Sequence, residues 1–290
     1  MNQKRCLTIQ DYSCMGRCSL TVALPILSAC QIEAVGLPTA ILSNHTAFDS
    51  WTYVDLTAQM KQSVAKWKNY NHHFDSIYTG YLGTEQIPLV IDIIHDLKEN
   101  DTMVMVDPAF GDNGAMYPGF NKESHVEAMR KLLAVSDITC PNLTEAFFLI
   151  GKEAEYREEG LDDKELHAIA KELSSLGPKI VLLTGTVRKK GRIGCTIYDR
   201  KTDTLFFYDT ECYPGKYHGA GDSYCSALVG ALLNGISLQD SVRIAHDFVH
   251  ESMKYDLDNK VDGLLYGLQF EKALPHLIES IRLEKSHQKK

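Results

Sequence analysis

Short apolar runs alternate with longer amphipathic stretches along most of this chain. CLTIQ (6–10) reads as a strand and SLTVALPILSA (19–29) as the helix after it. EAVGLP and TAIL are strand-like pieces, residues 52–67 have a helical pattern, and DSIYTG (75–80) is a strand. EQIPLVIDIIHDLKEN (85–100) places isoleucines and leucines on one side of a helix. TMVMVDP (102–108) is a continuous apolar run closed by Asp-Pro, the pattern of a strand buried on both faces. HVEAMRKLLA reads as helix, DITCPN as strand, LTEAFFLIG and DDKELHAIAKELSSLG as helices, and KIVLLTG as strand. Repeated β-α-β units of this kind predict an α/β fold with a mostly parallel central sheet and helices on both faces.

Residues 192–209 break the pattern. Two β-rich runs flank DRKTD, which predicts a small antiparallel hairpin at the sheet edge. Helices over 222–234 and 237–254 follow. No linker or internal repeat interrupts the chain, so residues 1–290 are expected to form a single domain. In an open parallel sheet, ligands bind beyond the C-terminal ends of the strands. The polar punctuation falls there: Asp11, SNHT (43–46), GYLGT (80–84), DPAFGDNG (107–114), PNLTE (141–145), TGT (184–186) and HGAGD (218–222). Together these segments favour a ligand groove.

Composition changes this picture little. An apolar share of 44% and a charged share of 23% over 290 residues suit a globular protein and exclude disorder. A net charge of -8, without a dense Lys/Arg stripe, argues against a nucleic-acid partner. The C-terminal EKSHQKK reads as a solvated tail. The eight cysteines contain no C-x-x-C pair, and Cys14 and Cys18 lack a second ligand pair, so reduced thiols are expected. MNQKRCLTIQDYS has too short an apolar run for a signal peptide, and no apolar stretch approaches the roughly 20 residues that span a bilayer. The expectation is a soluble cytoplasmic protein with no membrane partner.

The candidate chemistry sits at the strand ends. In HGAGDS, glycines can turn backbone N–H groups toward one point, and a helix N-terminus adds positive potential, which together favour a phosphate. Asp222 on the first helical turn could accept a proton from a hydroxyl attacking a phosphoryl group. It could equally serve only to complement the helix dipole. The segment lacks the G-K-[ST] ending of a Walker A loop. In PNLTEA, Asn142 and Glu145 have the spacing of a capping box. Glu145 could also hold Mg²⁺ through water, with Asp107 and Asp112 adding negative charge. Thr46 offers a hydroxyl to a polar ligand, beside His45 as a structural loop histidine. Tyr81 could stack on a planar ring, and Asp11 ends the first strand run before the Gly16 turn.

These motifs together resemble the ribokinase-like superfamily and, within it, the vitamin B6 kinases, over about residues 5–255. LSNHT, TGYLGT, VDPAFGD, PNLTEA and GAGD occur in that family's order and approximate spacing. GAGD is shared across the superfamily, whereas SNHT with GYLG is specific to the B6 branch. The resemblance implies ATP-dependent phosphorylation of the 5′-hydroxymethyl group of pyridoxal, pyridoxamine or pyridoxine in vitamin B6 salvage. It implies Asp222 as the base and Gly219, Ala220 and Gly221 as the anion hole. Asp11, Thr46 and Tyr81 would line the substrate pocket. Asp107, Asp112, Tyr117, Asn142 and Thr184 would contact ATP, and Glu145 and Asp112 the Mg²⁺ ion. A monovalent cation, a cytoplasmic location, a homodimer and a nucleotide-covering role for the hairpin belong to the same implied set.

Two positions depart from the family pattern. Many pyridoxal kinases carry Ser where this chain has Asp11, and hydroxymethylpyrimidine kinases are similar to this chain in having Asp there. A carboxylate facing a ring nitrogen favours its protonated form. A hydroxymethylpyrimidine kinase of thiamine biosynthesis is therefore the alternative, and the preferred vitamer stays open. Cys140 replaces the usual Thr or Ala before PN and is given no ligand role. A non-catalytic vitamer or nucleotide sensor is disfavoured by the intact Asp222 with its glycines.

Overall fold

The alternation of apolar runs and amphipathic stretches becomes a succession of strands and helices in the computed structural model, which describes residues 3–70, 72–261 and 265–287. In chain order the elements are β1 (Arg5–Ser13), α1 (Leu20–Ala29), β2 (Glu33–Leu42), β3 (Tyr53–Asp55), α2 (Thr57–Trp67), β4 (Ser76–Thr79), α3 (Ile87–Leu97) and β5 (Met103–Val106). There follow β6 (Gly111–Asp112), β7 (Ala115–Met116), α4 (Lys122–Leu133), β8 (Ile138–Thr139), α5 (Leu143–Leu149) and α6 (Asp163–Ser175). The chain continues through β9 (Ile180–Thr186), β10 (Arg192–Asp199), β11 (Thr204–Glu211), α7 (Ala220–Leu233), α8 (Leu238–Asp258) and α9 (Leu274–His287). These elements divide into two units, residues 1–78 with 213–290 and residues 79–212.

In the first unit the strand order is β4-β1-β2-β3. β1 and β2 are parallel, and β3 joins β2 in antiparallel register at the edge. Residues 6–11 of β1 are all buried, the burial expected of a central strand covered on both faces. The register between β1 and β2 slips between Gln10 and Tyr12, so Asp11 sits at an irregularity inside the strand rather than ending it. Helices α1, α7 and α8 pack together, and α7 is buried along most of its length.

In the second unit the order is β11-β10-β9-β8-β5. β5, β8 and β9 run parallel. β10 and β11 add an antiparallel hairpin at the edge, as residues 192–209 predict, although β11 runs on to Glu211. Helix α3 buries Ile87, Val90, Ile93 and Ile94, the spacing of one helical face. Capping boxes Asn142/Glu145 and Asp162/Glu165 start α5 and α6. The α/β class with mostly parallel strands stands.

Several expected boundaries move. The helix expected over 52–67 begins only at Thr57: residues 53–55 form β3, and the Asp55 carboxylate accepts from Thr57 N to open α2. EAVGLP and TAIL are one strand, β2. The helix expected over 237–254 extends to Asp258. The solvated tail is corrected up to His287. It closes α9, which buries Leu277 and Ile281 and ties Glu284 to Arg243. The last three residues of that tail, and the first two of the N-terminal segment, lie outside the described residues. No helix among the described residues is long and apolar enough to cross a membrane.

Candidate active site

In the first unit two acids meet through one serine. The chain leaves β1 at Ser13 and enters α1 at Leu20, and Ser19 is the residue before the helix. Ser19 O accepts the opening helical bonds from Val22 N and Ala23 N. Its own N–H has no place in the helix and donates to Asp222 Oδ2 at 2.8 Å. Its hydroxyl donates to Asp11 Oδ1 at 2.5 Å, and Ser13 Oγ donates to Asp11 Oδ2 at 2.9 Å. Asp11 and Ser19 are buried, at 5% and 4% exposure.

Asp222 lies on the first turn of α7, behind Gly219 at φ 73. A Cβ at Gly219 would overlap the carbonyl oxygen of Arg17, so glycine is required by contact as well as by conformation. Gly219 offers no side chain to cap α7; Ala220 N reaches Tyr217 O at 3.4 Å, and Gly219 O accepts from Ser223 N. The Asp222 side chain keeps part of its surface open, but its carboxyl is closely surrounded. Burial, with the charge of Asp11 as a smaller contribution, pushes it up to about 6, while the Ser19 N–H opposes the shift. Burial also raises Asp11, against the two serine hydroxyls.

His45 lies in the same unit. Its Nε2 faces Leu265 O at 2.8 Å, so that nitrogen carries the proton, and Nδ1 accepts from Ala47 N. Burial lowers its basicity, against the Leu265 carbonyl and the charge of Asp11. Its ring lies 5.1 Å from that of His218. The role of structural loop histidine fits these contacts. Thr46 beside it is exposed, in a loop braced by Asn44 Nδ2 donating to Ser50 O.

In the second unit the hub is Phe110–Gly111. Phe110 N and Gly111 N donate to Glu145 Oε1 at 2.8 and 3.4 Å, and Asn142 N donates to Oε2 at 3.0 Å. Asn142 Nδ2 donates to Gly111 O, and its Oδ1 accepts from Glu145 N. The buried Glu145 is raised well above the usual carboxylate range, first by desolvation and then by the charge of Asp107. Thr184 bridges to Asn142 and donates its N–H to Pro141 O. Tyr117 N donates to Phe110 O, with the side chain largely exposed. Asp112 is exposed and accepts from Asn113 N and Nδ2. Asp107, Asn142, Glu145 and Thr184 are therefore gathered in one place, with Asp112 and Tyr117 at its rim. Tyr81 packs 5.5 Å from the Phe120 ring, which stacks at 3.9 Å on His125.

Sequence reasoning missed Ser13, which bonds Asp11 two residues before it, and Ser19, whose N–H partner Asp222 is distant in the chain. It also missed Phe120 and His125 behind Tyr81. His125 donates to or accepts from Thr84 Oγ1 at 2.8 Å, and burial lowers it to about 4.

The profile of the phosphomethylpyrimidine kinase family matches residues 24–263. The pyridoxal kinase of Ovis aries is 30% identical over 192 residues, which cover 63% of this chain and 59% of that protein, so the match spans less than two thirds of its length. A proposed phosphomethylpyrimidine kinase from Bacteroides thetaiotaomicron, solved in a crystal form with pyridoxal, is 34% identical. It covers 95% of this chain and 96% of its own, with a TM-score of 0.89. The pyridoxal kinase of Lactobacillus plantarum is 27% identical, covering 96% and 98%, with a TM-score of 0.86.

Proposed function

The chain belongs to the phosphomethylpyrimidine kinase family, and from that premise we propose that it is an ATP-dependent kinase of the vitamin B6 ring, phosphorylating the 5′-hydroxymethyl group of pyridoxal, pyridoxamine or pyridoxine. The observation that carries the reading is Asp222. It is a carboxyl held near pKa 6 on the first turn of a glycine-opened helix. Such a group is ionised at neutral pH yet basic enough to take a hydroxyl proton in the transition state.

In this reading Asp222 removes the proton from the attacking hydroxyl. The N–H groups of Gly219, Ala220 and Gly221 face the transferring phosphoryl group, where the N-terminus of α7 favours negative charge. Asp11 faces the ring nitrogen, and Thr46 and Tyr81 contact the rest of the ring. Asp107, Asp112, Tyr117, Asn142 and Thr184 serve the nucleotide. A buried acid whose proton affinity is raised by a second buried acid beside it suits a divalent cation, and Glu145 beside Asp107 meets that description. Glu145 and Asp112 would then help hold Mg²⁺, which when bound spreads the negative charge of the phosphates. Residues 1–290 are read as one kinase domain. A cytoplasmic homodimer, and a monovalent cation beside ATP and Mg²⁺, follow from the family resemblance alone.

The alternative, a hydroxymethylpyrimidine kinase, is favoured by one observation: residue 11 is a buried carboxylate, the residue type that such kinases carry there by resemblance. Support for the B6 reading comes from the pyridoxal bound to the Bacteroides relative and from the pyridoxal kinases among the curated relatives. Turnover of pyridoxal, pyridoxamine, pyridoxine and hydroxymethylpyrimidine, each with ATP and Mg²⁺, separates the two. The expected result is kcat/KM at least tenfold higher for one of the B6 vitamers. A preference for the pyrimidine reverses the assignment.

A further inference from the structure

Ser19 holds a backbone conformation that its side chain resists. Its φ of 50 and ψ of -130 match the first central position of a type II′ turn, where glycine dominates because a Cβ is crowded. A serine persists there only if its surroundings over-determine it, and the two groups that it alone supplies both end on acids. The hydroxyl donates to Asp11 and the amide to Asp222. The side chain is almost completely enclosed. A cap for α1 does not explain this, because the Ser19 side chain makes no capping bond to the helix.

We propose that Ser19 is a positioning residue that joins Asp11 and Asp222 into one coupled acid pair, so that the charge state of Asp11 shifts the proton affinity of the catalytic base. The proposal rests on the reading of Asp222 as that base. Other titratable groups face the pair without breaking it. His45 is bonded to Leu265 O, burial lowers its basicity, and its charge acts on Asp11 as a smaller influence than the two serine hydroxyls. Burial and the two carboxylates raise the Cys18 thiol, which therefore stays protonated. The guanidinium of Arg17 is committed to Glu271 at 2.8 Å. Among the described residues, the charged side chain that acts on Asp222 is Asp11. The coupling has a direction. The Ser19 hydroxyl stabilises Asp11 as an anion. Without it Asp11 takes up a proton more readily, the repulsion on Asp222 weakens, and Asp222 ionises at lower pH.

The test compares Ser19→Gly, Asp11→Asn, the double variant and Asp222→Asn, using kcat/KM for pyridoxal across pH with ATP and Mg²⁺. Ser19→Gly removes the hydroxyl, keeps the amide and releases the strained φ, so its melting temperature should be no lower than that of the parent. Its acid limb should nevertheless move to lower pH by half a unit or more, and kcat at neutral pH should fall severalfold. Asp11→Asn should move the limb the same way, and the double variant no further than the larger single shift. If Ser19→Gly keeps the parent limb, or the two shifts simply add, the coupling is overturned while the base reading stands. If Asp222→Asn retains turnover, the base reading fails and takes this proposal with it.

Discussion

Each unit holds an acid of the candidate site by backbone N–H groups, and each places a non-glycine residue with positive φ beside them. In the first unit it is Ser19, whose own N–H reaches Asp222. In the second it is Ala109, at φ 46, directly before the Phe110 and Gly111 amides that reach Glu145. The outcomes differ. Asp222 receives one amide and stays partly open, whereas Glu145 receives three and is sealed at 2% exposure. An acid with spare acceptor capacity and a solvent-facing edge can exchange a proton with a substrate. An acid enclosed by amides beside a second acid is suited to holding charge in place. Under the proposed function, the comparison therefore separates a proton-transfer unit from a charge-holding unit.

The sharpest way to break that division is Asp222→Asn. Loss of the base should lower kcat roughly a thousandfold while pyridoxal still binds. Stability should move the other way. The folded pKa of Asp222 is raised above its ordinary 3.8, so this group's stabilising contribution is complete below that value and is lost as pH rises through about 6. At pH 7 the amide should therefore gain about 1 kcal/mol, after allowing for the part of Asp222 that meets water. Urea unfolding at pH 7 and pH 4 checks this: a gain that is the same at both values would show that the carboxyl is not strained by burial.

Gly219→Ala is expected to rank next. A Cβ would meet the Arg17 carbonyl, and Ala at φ 73 is disfavoured, for a combined cost of about 2 kcal/mol. Displacement of the N–H nest should lower kcat by roughly a hundredfold, leaving the Mg²⁺ requirement unchanged. An altered Mg²⁺ requirement would show that the nest is not confined to the first unit's role.

The division itself was only partly legible in the sequence. Asp222 and Glu145 stand out because each occupies a helical first turn after a recognisable stop, a local pattern that needs no tertiary knowledge. The hairpin and the buried β5 run show themselves for the same reason. Ser19 does not, because its partner Asp222 is 203 positions away and its φ is fixed only by the assembled loop. Residues 53–55 looked helical because nothing local reveals that β2 offers them an open edge. EKSHQKK looked like a solvated tail because its residues are all polar, whereas the buried Leu277 and Ile281 that anchor α9 lie before it.

Glu145→Gln tests the charge-holding unit directly. Glutamine can still accept from Phe110 N and Gly111 N, but its amide group turns a donor toward Asn142 N–H. That mismatch costs about 1–3 kcal/mol, partly offset by the removed repulsion from Asp107. The Mg²⁺ concentration for half-maximal rate should rise about tenfold, with the KM for pyridoxal unchanged. A vitamer KM that rises as much as the Mg²⁺ requirement would dissolve the distinction between the units.

Asp112→Asn should have the smallest effect, and it decides which acid of the second unit does the holding. Asp112 is exposed and bonded only locally, to Asn113, among the contacts described. Its removal should change stability by less than about 0.5 kcal/mol. An exposed charge attracts a cation through water, so the Mg²⁺ requirement should rise only about twofold, and added salt should erase the difference. The effect at Glu145 should survive salt, because that carboxylate is buried. If Asp112→Asn instead matches Glu145→Gln, and salt does not erase it, then Asp112 is the ion's direct partner and Glu145 is left as the cap of α5.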